Sequence, residues 1–231
     1  MMQSRLVENL NLVKGRIEAA AIRSGRVGSD VTLVAVTKYV DLATTKLLVE
    51  AGQIALGESR PQVLWDKAEG LNDLDIQWHM IGHLQRNKVD RTLPLCSLIH
   101  SVDSIRLLKA IASSAEKARR TANCLLEVNI SGEANKYGFQ PDELESVLAV
   151  AAELKEIRVG GLMGMASLSG GLDDNRKEFA RLREMRERLS GFQTDNVELL
   201  ELSMGMSGDF EQAIEEGATI VRVGSVLFDG I

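Results

Sequence analysis

Eight short apolar runs, rich in β-branched residues, recur along this chain with helix-like stretches between them. The runs cover residues 31–36, 53–56, 76–81, 97–100, 123–130, 157–163, 197–202 and 218–223. Short apolar strands of this kind are typical of parallel sheets that helices cover. Eight of them in 231 residues predict an α/β fold, a (β/α)8 TIM barrel with an extra N-terminal helix, formed as a single domain by residues 1–231.

An open, doubly wound sheet is the alternative for a chain that alternates strands and helices. Such a sheet usually has a glycine-rich turn after its first strand, whereas the run 31–36 leads through Thr37 into Lys38. We expect Asp103 to cap one helix and Pro141 to lie in the first turn of the next. The stretches with helical spacing or helix end signals are 3–23, 103–119, 141–154, 173–189 and 209–217.

The composition argues against several classes of protein. A net charge of −6 disfavours broad nucleic-acid binding, which needs clustered lysine and arginine. The two cysteines, Cys96 and Cys124, have no metal-like spacing, so we expect no metal site and no disulfide framework. The N-terminal segment is amphipathic rather than a signal peptide, and no apolar run is long enough to cross a membrane. We therefore predict a cytoplasmic protein.

A lysine follows the first strand directly, in the segment "VTLVAVTKYV". Because side chains alternate along a strand, Val34, Val36 and Lys38 should point into the barrel and Leu33 and Ala35 toward the helices. Burial at the base of Lys38 would favour the neutral amine, the form that attacks carbonyl groups. A lysine at a strand end can instead extend into solvent, and this segment alone leaves both interpretations open.

The last two strands end in segments suited to phosphate. These are "SMGMSGD" at 203–209 and "RVGSVLF" at 222–228, which offer small residues and backbone N–H groups before helical turns. In (β/α)8 barrels, a phosphate site is often built by the loops after strands 7 and 8. Together with Lys38, this arrangement suggests pyridoxal 5′-phosphate (PLP) held as a Schiff base.

Arg222 shares its strand face with Ile220, so it should lie inside strand 8 near Lys38. It is a candidate partner for the pyridine nitrogen of PLP. An arginine stays protonated, so the ring would be a weaker electron sink than with a carboxylate partner. The alternative interpretation is a buried salt bridge from Arg222 to Glu201 or Glu127.

Longer motifs carry a resemblance to a known family. The segments "WHMIGHLQRNK" and "SMGMSGDFEQAIEEGAT", with "VAVTKYV" and "LLEVNISGEANKYGF", resemble the pyridoxal phosphate homeostasis protein family over residues 5–229. The resemblance implies a barrel similar to the N-terminal domain of alanine racemase, with PLP on Lys38. It also implies phosphate contacts from the loops after strands 7 and 8, at Ser203, Met204, Gly224 and Ser225, and places Arg222 near the cofactor. The family usually has Asn where this chain has Ser59, whose hydroxyl is shorter than an amide.

We take the residues at the strand ends as the predicted cofactor contacts. His83 could pack on the cofactor, orient a neighbour, or be an ordinary loop residue, whereas His79 is expected to be a satisfied core residue. The complete set of predicted contacts is Lys38, Ser59, His83, Met165, Ser203, Met204, Arg222, Gly224 and Ser225.

Racemisation of an amino acid needs a base on each face of the α-carbon. Alanine racemases take the second base, a tyrosine, from a C-terminal domain. We expect no such domain here, because the sequence ends at Ile231, soon after strand 8. Of the two tyrosines, Tyr39 should point away from Lys38, and Tyr137 lies in the loop after strand 5.

Three hypotheses follow. The first is a monomeric PLP-binding protein of intracellular vitamin B6 homeostasis, which holds the cofactor and delivers it to apo-enzymes. The second is a PLP-dependent amino-acid racemase with weak or narrow activity. The third is a barrel whose site is vestigial, which would bind no PLP and gain no stability from it.

Overall fold

Eight parallel strands close into a barrel in chain order in the computed structural model, which describes residues 2–133, 137–167 and 170–231. The predicted (β/α)8 fold is confirmed. The strands are β1 (Thr32–Val36), β2 (Ala55–Glu58), β3 (Gln77–Met80), β4 (Cys96–Val102), β5 (Ala122–Val128), β6 (Ile157–Gly164), β7 (Val197–Ser203) and β8 (Ile220–Val223).

Helices surround the barrel, and an additional one precedes it. They are α1 (Met2–Arg23), α2 (Leu42–Glu50), α3 (Pro61–Gly70), α4 (Val89–Thr92), α5 (Ile105–Lys117), α6 (Leu144–Ala152), α7 (Leu172–Leu189) and α8 (Phe210–Glu215). Short 3-10 helices cover Gly28–Asp30, Arg86–Lys88, Leu93–Leu95 and Ser225–Phe228. None of the helices within the described residues combines the length and apolar composition that a bilayer crossing requires.

Two apolar layers flank the barrel wall. Val34 lies inside the barrel, in a cluster with Leu125, Met163 and other inward residues. Leu33 and Ala35 belong to the larger core between the strands and the helices. The alternation predicted for the first strand is therefore confirmed as far as β1 extends.

The second strand starts later than predicted. The run 53–56 begins with Gln53, whose amide donates to the carbonyl groups of Leu33 (2.7 Å) and Ala55 (2.9 Å). Gln53 therefore satisfies backbone acceptors with its side chain, and regular pairing with β3 runs from Ala55 to Glu58. The shift brings Glu58 into the strand and leaves Ser59 just after it.

Two predicted helix starts are wrong. Ser104, not Asp103, is the N-cap of α5, because its hydroxyl accepts a hydrogen bond from the Leu107 N–H (3.3 Å). Asp103 instead pairs with a histidine at the rim. Pro141 lies in a turn before α6, which begins at Leu144.

The first helix packs against the C-terminal part of the chain. Its apolar face is buried, and it packs against α8. The Asn9 amide donates to the carbonyl groups of Leu227 (3.1 Å) and Asp229 (3.0 Å), and Arg16 forms an ion pair with Glu211 (3.0 Å). The segment after β8 is thus held beside the start of the chain.

Candidate functional site

Lys38 lies in the turn that follows β1, at the C-terminal mouth of the barrel. The strand ends at Val36, so strand alternation does not extend to this turn. Lys38 is exposed, and its Nζ lies 4.8 Å from the centroid of the Tyr39 ring. The predicted burial at the base of Lys38 and the predicted opposite direction of Tyr39 are both wrong, since a turn brings the two side chains together.

Arg222 lies inside the barrel on β8, in register with Val34 of β1. It is 4% exposed. Its Nη1 donates to the Ser203 hydroxyl (2.6 Å) and its Nη2 donates to the Gly164 carbonyl (3.1 Å). Arg222 is therefore held by polar groups of β6 and β7 directly below the mouth.

The alternative interpretation of Arg222 was a buried salt bridge, and the described residues form no such bridge. Glu201 accepts a hydrogen bond from Thr219, and neither Glu201 nor Glu127 forms an ion pair with Arg222 within the described ranges. Burial raises the pKa of Glu127 to about 7, an effect to which Asp103 adds and which the positive charge of Arg222 reduces. Glu127 thus influences Arg222 from a distance rather than through a direct contact.

Two histidines extend the contacts of Arg222 into the barrel interior. Ser203 Oγ lies 2.8 Å from Nδ1 of His100, and Nε2 of His100 lies 2.8 Å from Nδ1 of His79. All three side chains are buried. A continuous chain of hydrogen bonds therefore runs from His79 through His100 and Ser203 to Arg222.

Arg222 fixes the direction of one hydrogen bond in this chain. A guanidinium has only donors, so the Ser203 hydroxyl accepts from Arg222. When Ser203 gives its own proton to Nδ1 of His100, His100 carries its proton on Nε2 and donates to Nδ1 of His79. Burial lowers the pKa of His79 to about 4, and burial, with the charges of His79 and Arg222, lowers the pKa of His100 well below its usual 6.5. Both rings are therefore neutral at pH 7, as this pattern requires.

The loops after β7 and β8 meet at the mouth. The Gly224 N–H donates to the Ser207 hydroxyl (3.0 Å), which joins one loop to the other. A side chain on Gly224 would lie 3.3 Å from the Val36 carbonyl oxygen, so this loop also lies close to the end of β1. The loops that follow β7 and β8 therefore form one surface beside the Lys38 turn.

This surface offers backbone donors. In the described part of the chain, the N–H groups of Ser207, Gly208, Ser225 and Val226 donate no hydrogen bond. Gly208 has open space around its Cα. Unused N–H groups on two adjoining loops suit a phosphate group. Together with the accessible amine of Lys38 and the guanidinium of Arg222, they match the donor set that PLP requires.

The loop after β7 is held in shape by a buried carboxylate. Asp209 accepts from the Met206 N–H (2.7 Å) and from the amide of Asn175 on α7 (2.9 Å). Gly205 has φ +90, and a side chain there would lie 2.6 Å from Ala213 Cβ. The loop conformation is thus set by its neighbours on α7 and α8.

Two predicted phosphate contacts lie elsewhere. Ser203 is the last residue of β7 and is fully buried, with its hydroxyl bonded to His100 and Arg222. The Met204 N–H donates to the Ile220 carbonyl (3.1 Å), and its side chain is in the core. Ser207, which the sequence reasoning missed, lies in the loop itself. The signal was the second serine of "SMGMSGD", the one beyond the end of the strand.

The remaining predicted contacts are distributed over the other strand ends. Ser59 is half-buried after β2, and Gly82 after β3 approaches its backbone so closely that a Cβ would lie 2.3 Å from the Ser59 carbonyl oxygen. Met165 follows β6 and is partly exposed. His83 pairs with Asp103 (2.9 Å) and stacks on Tyr137 with 4.4 Å between ring centroids.

The chain is similar to known proteins over nearly its whole length. Residues 26–230 match the family model described as alanine racemase, N-terminal domain. The chain is similar to the pyridoxal phosphate homeostasis protein of Aquifex aeolicus, with 41% identity over 221 residues that cover 96% of each protein. It is also similar to the protein of that name from Pseudomonas aeruginosa, with 36% identity over 97% of this chain and 95% of the relative.

Solved structures with the same fold match nearly the whole chain. A protein from Bifidobacterium adolescentis described only as an unknown protein has a TM-score of 0.93 at 36% identity, covering 98% of this chain and 96% of that protein. PipY from Synechococcus elongatus, solved with PLP bound, has a TM-score of 0.82 at 33% identity, covering 96% of this chain and 99% of PipY. An alanine racemase from Clostridium difficile shares the fold at 16% identity, with a TM-score of 0.74 over 55% of that protein.

The neutral state of His79 predicts a specific dependence of stability on pH. The pKa of His79 is about 4 in the folded protein, against 6.5 ordinarily, so at low pH the unfolded chain binds a proton that the folded protein does not. His79 should therefore lower the free energy of unfolding by about 3 kcal/mol as the pH drops from about 6.5 to about 4, in addition to the fall that His100 causes. His79→Gln should remove the His79 contribution and leave that of His100. Urea unfolding of both proteins across this range measures it.

A second variant separates protonation from the loss of a hydrogen bond. Ser203→Ala breaks the same chain but keeps the buried His79, so its stability should fall with pH as steeply as that of the wild type. A difference between wild type and His79→Gln that stays constant over the range would contradict the assignment.

Proposed function

This chain belongs to the pyridoxal phosphate homeostasis protein family, whose barrel is that of the alanine racemase N-terminal domain, and we propose that it binds PLP at the C-terminal mouth of its barrel. In this proposal Lys38 holds the cofactor as a Schiff base, and the protein takes part in PLP homeostasis, including delivery to apo-enzymes. One observation carries the proposal. The Lys38 turn, Arg222 and the free N–H groups of the β7 and β8 loops all lie at the C-terminal mouth of the barrel.

The phosphate is assigned to the loops after β7 and β8. The N–H groups of Ser207, Gly208, Ser225 and Val226 would donate to its oxygens. The Ser207 hydroxyl accepts from the Gly224 N–H, so its own proton is free to be donated to the phosphate. These assignments keep Gly224 and Ser225 as cofactor contacts and add Ser207. They make Ser203 an indirect contributor that acts through Arg222.

Arg222 is assigned to the pyridine nitrogen. Bound PLP supplies an aldehyde for the lysine and a conjugated ring whose strength as an electron sink depends on the protonation of that nitrogen. Arg222 donates two N–H groups to Ser203 and Gly164, and the others remain for the ring. Because a guanidinium cannot hold the ring proton as a carboxylate does, the ring would stay a weak electron sink, which suits storage better than carbanion chemistry.

The exposure of Lys38 is consistent with reversible binding of PLP to its amine. Its amine faces solvent beside Tyr39, so a cofactor can approach and water can later reach the bond that forms. Ser59, His83 and Met165 are proposed as contacts along the rest of the mouth. We further propose that the protein is a monomer and that it acts in the cytoplasm, a reducing compartment that its two widely spaced cysteines favour.

The covalent assignment is tested at Lys38. After incubation with PLP and reduction with borohydride, the wild type should gain the mass of one reduced PLP adduct, which peptide mapping places on Lys38. Lys38→Ala should lose the adduct and the visible absorbance band of the Schiff base. Lys46→Ala, which removes an exposed lysine of α2, should keep both. An adduct of undiminished yield in Lys38→Ala would contradict the proposal.

The phosphate assignment is tested at Ser207. Ser207→Ala removes the acceptor for the Gly224 N–H and one donor to the phosphate, so the Kd for PLP should rise about tenfold, equivalent to about 1.4 kcal/mol. The adduct should still form on Lys38 at saturating PLP. Ser146→Ala, on the exposed surface of α6, is the control. An unchanged Kd in titrations of Ser207→Ala would exclude this serine from the phosphate site.

A direct assay distinguishes the racemase hypothesis from storage of PLP. If the protein stores PLP, single L-amino acids incubated with the PLP-loaded protein should give D-isomer no faster than with free PLP at the same concentration. Chiral chromatography measures both rates. Turnover well above the free-PLP rate, lost in Lys38→Ala, would replace the storage role with catalysis.

A further inference from the structure

A buried ion pair lies next to the Lys38 turn, on the helix side of the barrel wall. Nζ of Lys67, on α3, lies 2.7 Å from Oε1 of Glu58, the last residue of β2. Glu58 is fully buried and Lys67 is 6% exposed. Moving two charges out of water is costly, and a buried pair of this kind is weak evidence for a gain in stability.

The partner that the two residues share is Thr37. Lys67 Nζ donates to the Thr37 carbonyl oxygen (2.7 Å), and the Thr37 hydroxyl donates to Oε1 of Glu58 (2.6 Å). The Thr37 N–H donates to the Gly57 carbonyl (3.1 Å). Every polar group of Thr37 is thus bonded, and Thr37 has no exposed surface. Its carbonyl belongs to the peptide bond that leads into Lys38.

The side chain of Lys38 forms few contacts. Within the described residues it forms no ion pair, and its only side-chain contact of note is with the Tyr39 ring. The direction in which its side chain leaves the barrel wall is therefore set by the backbone of the turn. That backbone is fixed on one side by Thr37 and continues into α2, which Asp41 caps through the Thr44 N–H (2.8 Å).

The second oxygen of Glu58 supports a role other than stability. Oε2 is buried and has no hydrogen-bond partner among the described residues. An ion pair selected for stability alone would be expected to satisfy both carboxylate oxygens. Here the bonds of Oε1 are directed to Lys67 and to Thr37, the residue before Lys38.

We propose that Lys67 and Glu58 are positioning residues, which clamp Thr37 from the helix side and so orient the neutral amine of Lys38 for attack on the aldehyde carbon of PLP. In this condensation a C=N bond replaces the aldehyde C=O bond, and the aldehyde oxygen leaves as water with the two amine protons. This inference rests on the proposed function, since it assumes that Lys38 forms the Schiff base. Lys67 and Glu58 lie between the barrel wall and α3 and act only through the peptide bond between Thr37 and Lys38.

The main test uses a double variant. Lys67→Met with Glu58→Met removes both charges, so neither is left buried without a partner, and its thermal unfolding should stay close to that of the wild type. The rate of adduct formation on Lys38 at saturating PLP, followed by borohydride trapping and intact mass, should fall at least about tenfold, because misplacing a reacting group is costly to rate. The PLP concentration for half-maximal rate should change less than about twofold, since the phosphate donors are untouched.

Thr37 provides a second and gentler variant that does not depend on the double variant folding. Thr37→Val keeps the size of the side chain and the ion pair but removes the hydroxyl bond to Glu58, and it should also slow adduct formation. Thr37→Ser, which restores a hydroxyl, should recover most of the rate. A wild-type rate in either a folded double variant or Thr37→Val overturns the positioning role.

The outcomes also separate this inference from the function on which it rests. If the wild type forms no adduct on Lys38, the proposed function fails. If the wild type forms the adduct and the Lys67, Glu58 and Thr37 variants form it at the same rate, only the positioning role fails. A slower rate in the double variant that tracks a lowered unfolding temperature, with Thr37→Val unaffected, would show a purely structural role.

Discussion

The pairing of the first strand with the last is the constraint on which the site depends. β1 and β8 lie far apart in the chain, yet Val34 is in register with Arg222 and Ala35 with Val223. This pairing removes the open edges of the sheet, which would otherwise leave rows of unpaired N–H and C=O groups. It also brings the Lys38 turn after β1 beside the loop after β8. The same pairing that closes the barrel therefore places these two segments together at its mouth.

Inside the closed barrel, a chain of hydrogen bonds links one cation to three neutral polar side chains. Arg222 can only donate, so Ser203 accepts from it, and Ser203 in turn lies within hydrogen-bonding distance of His100, which bonds to His79. Buried polar groups are costly when unpaired, and a chain of this kind satisfies them in series. Among the described residues, the guanidinium below the mouth thus has no carboxylate partner in direct contact.

Much of the architecture could be predicted from the sequence, because burial on both faces of a strand leaves a clear apolar run. The inward direction of Val34 follows from simple alternation, and Arg222 was correctly located inside β8. Alternation stopped being informative where strands ended. It could not show that Lys38 and Tyr39 share one side of a turn, or that Ser203 is the end of a strand whereas Ser207 belongs to a loop.

Other features depended on tertiary partners that no local pattern reveals. Asp103 has the composition of a helix cap but pairs with His83, which leaves Ser104 to cap α5. Lys67 lies in an amphipathic helix where a lysine normally faces water, and only the fold brings it to Glu58. Charged residues in buried positions are therefore the part of this molecule that sequence reasoning locates least well.

The tie between α1 and the segment after β8 has a consequence for biosynthesis. Asn9 bonds to the carbonyl groups of Leu227 and Asp229, and β1 completes its pairing only with β8. A ribosome delivers the N-terminal partners first and the C-terminal partners last. During translation, the lysine turn emerges early but the donor loops that adjoin it emerge near the end. The nascent chain thus exposes Lys38 for most of its synthesis before the two loops that adjoin it in the folded barrel have been made.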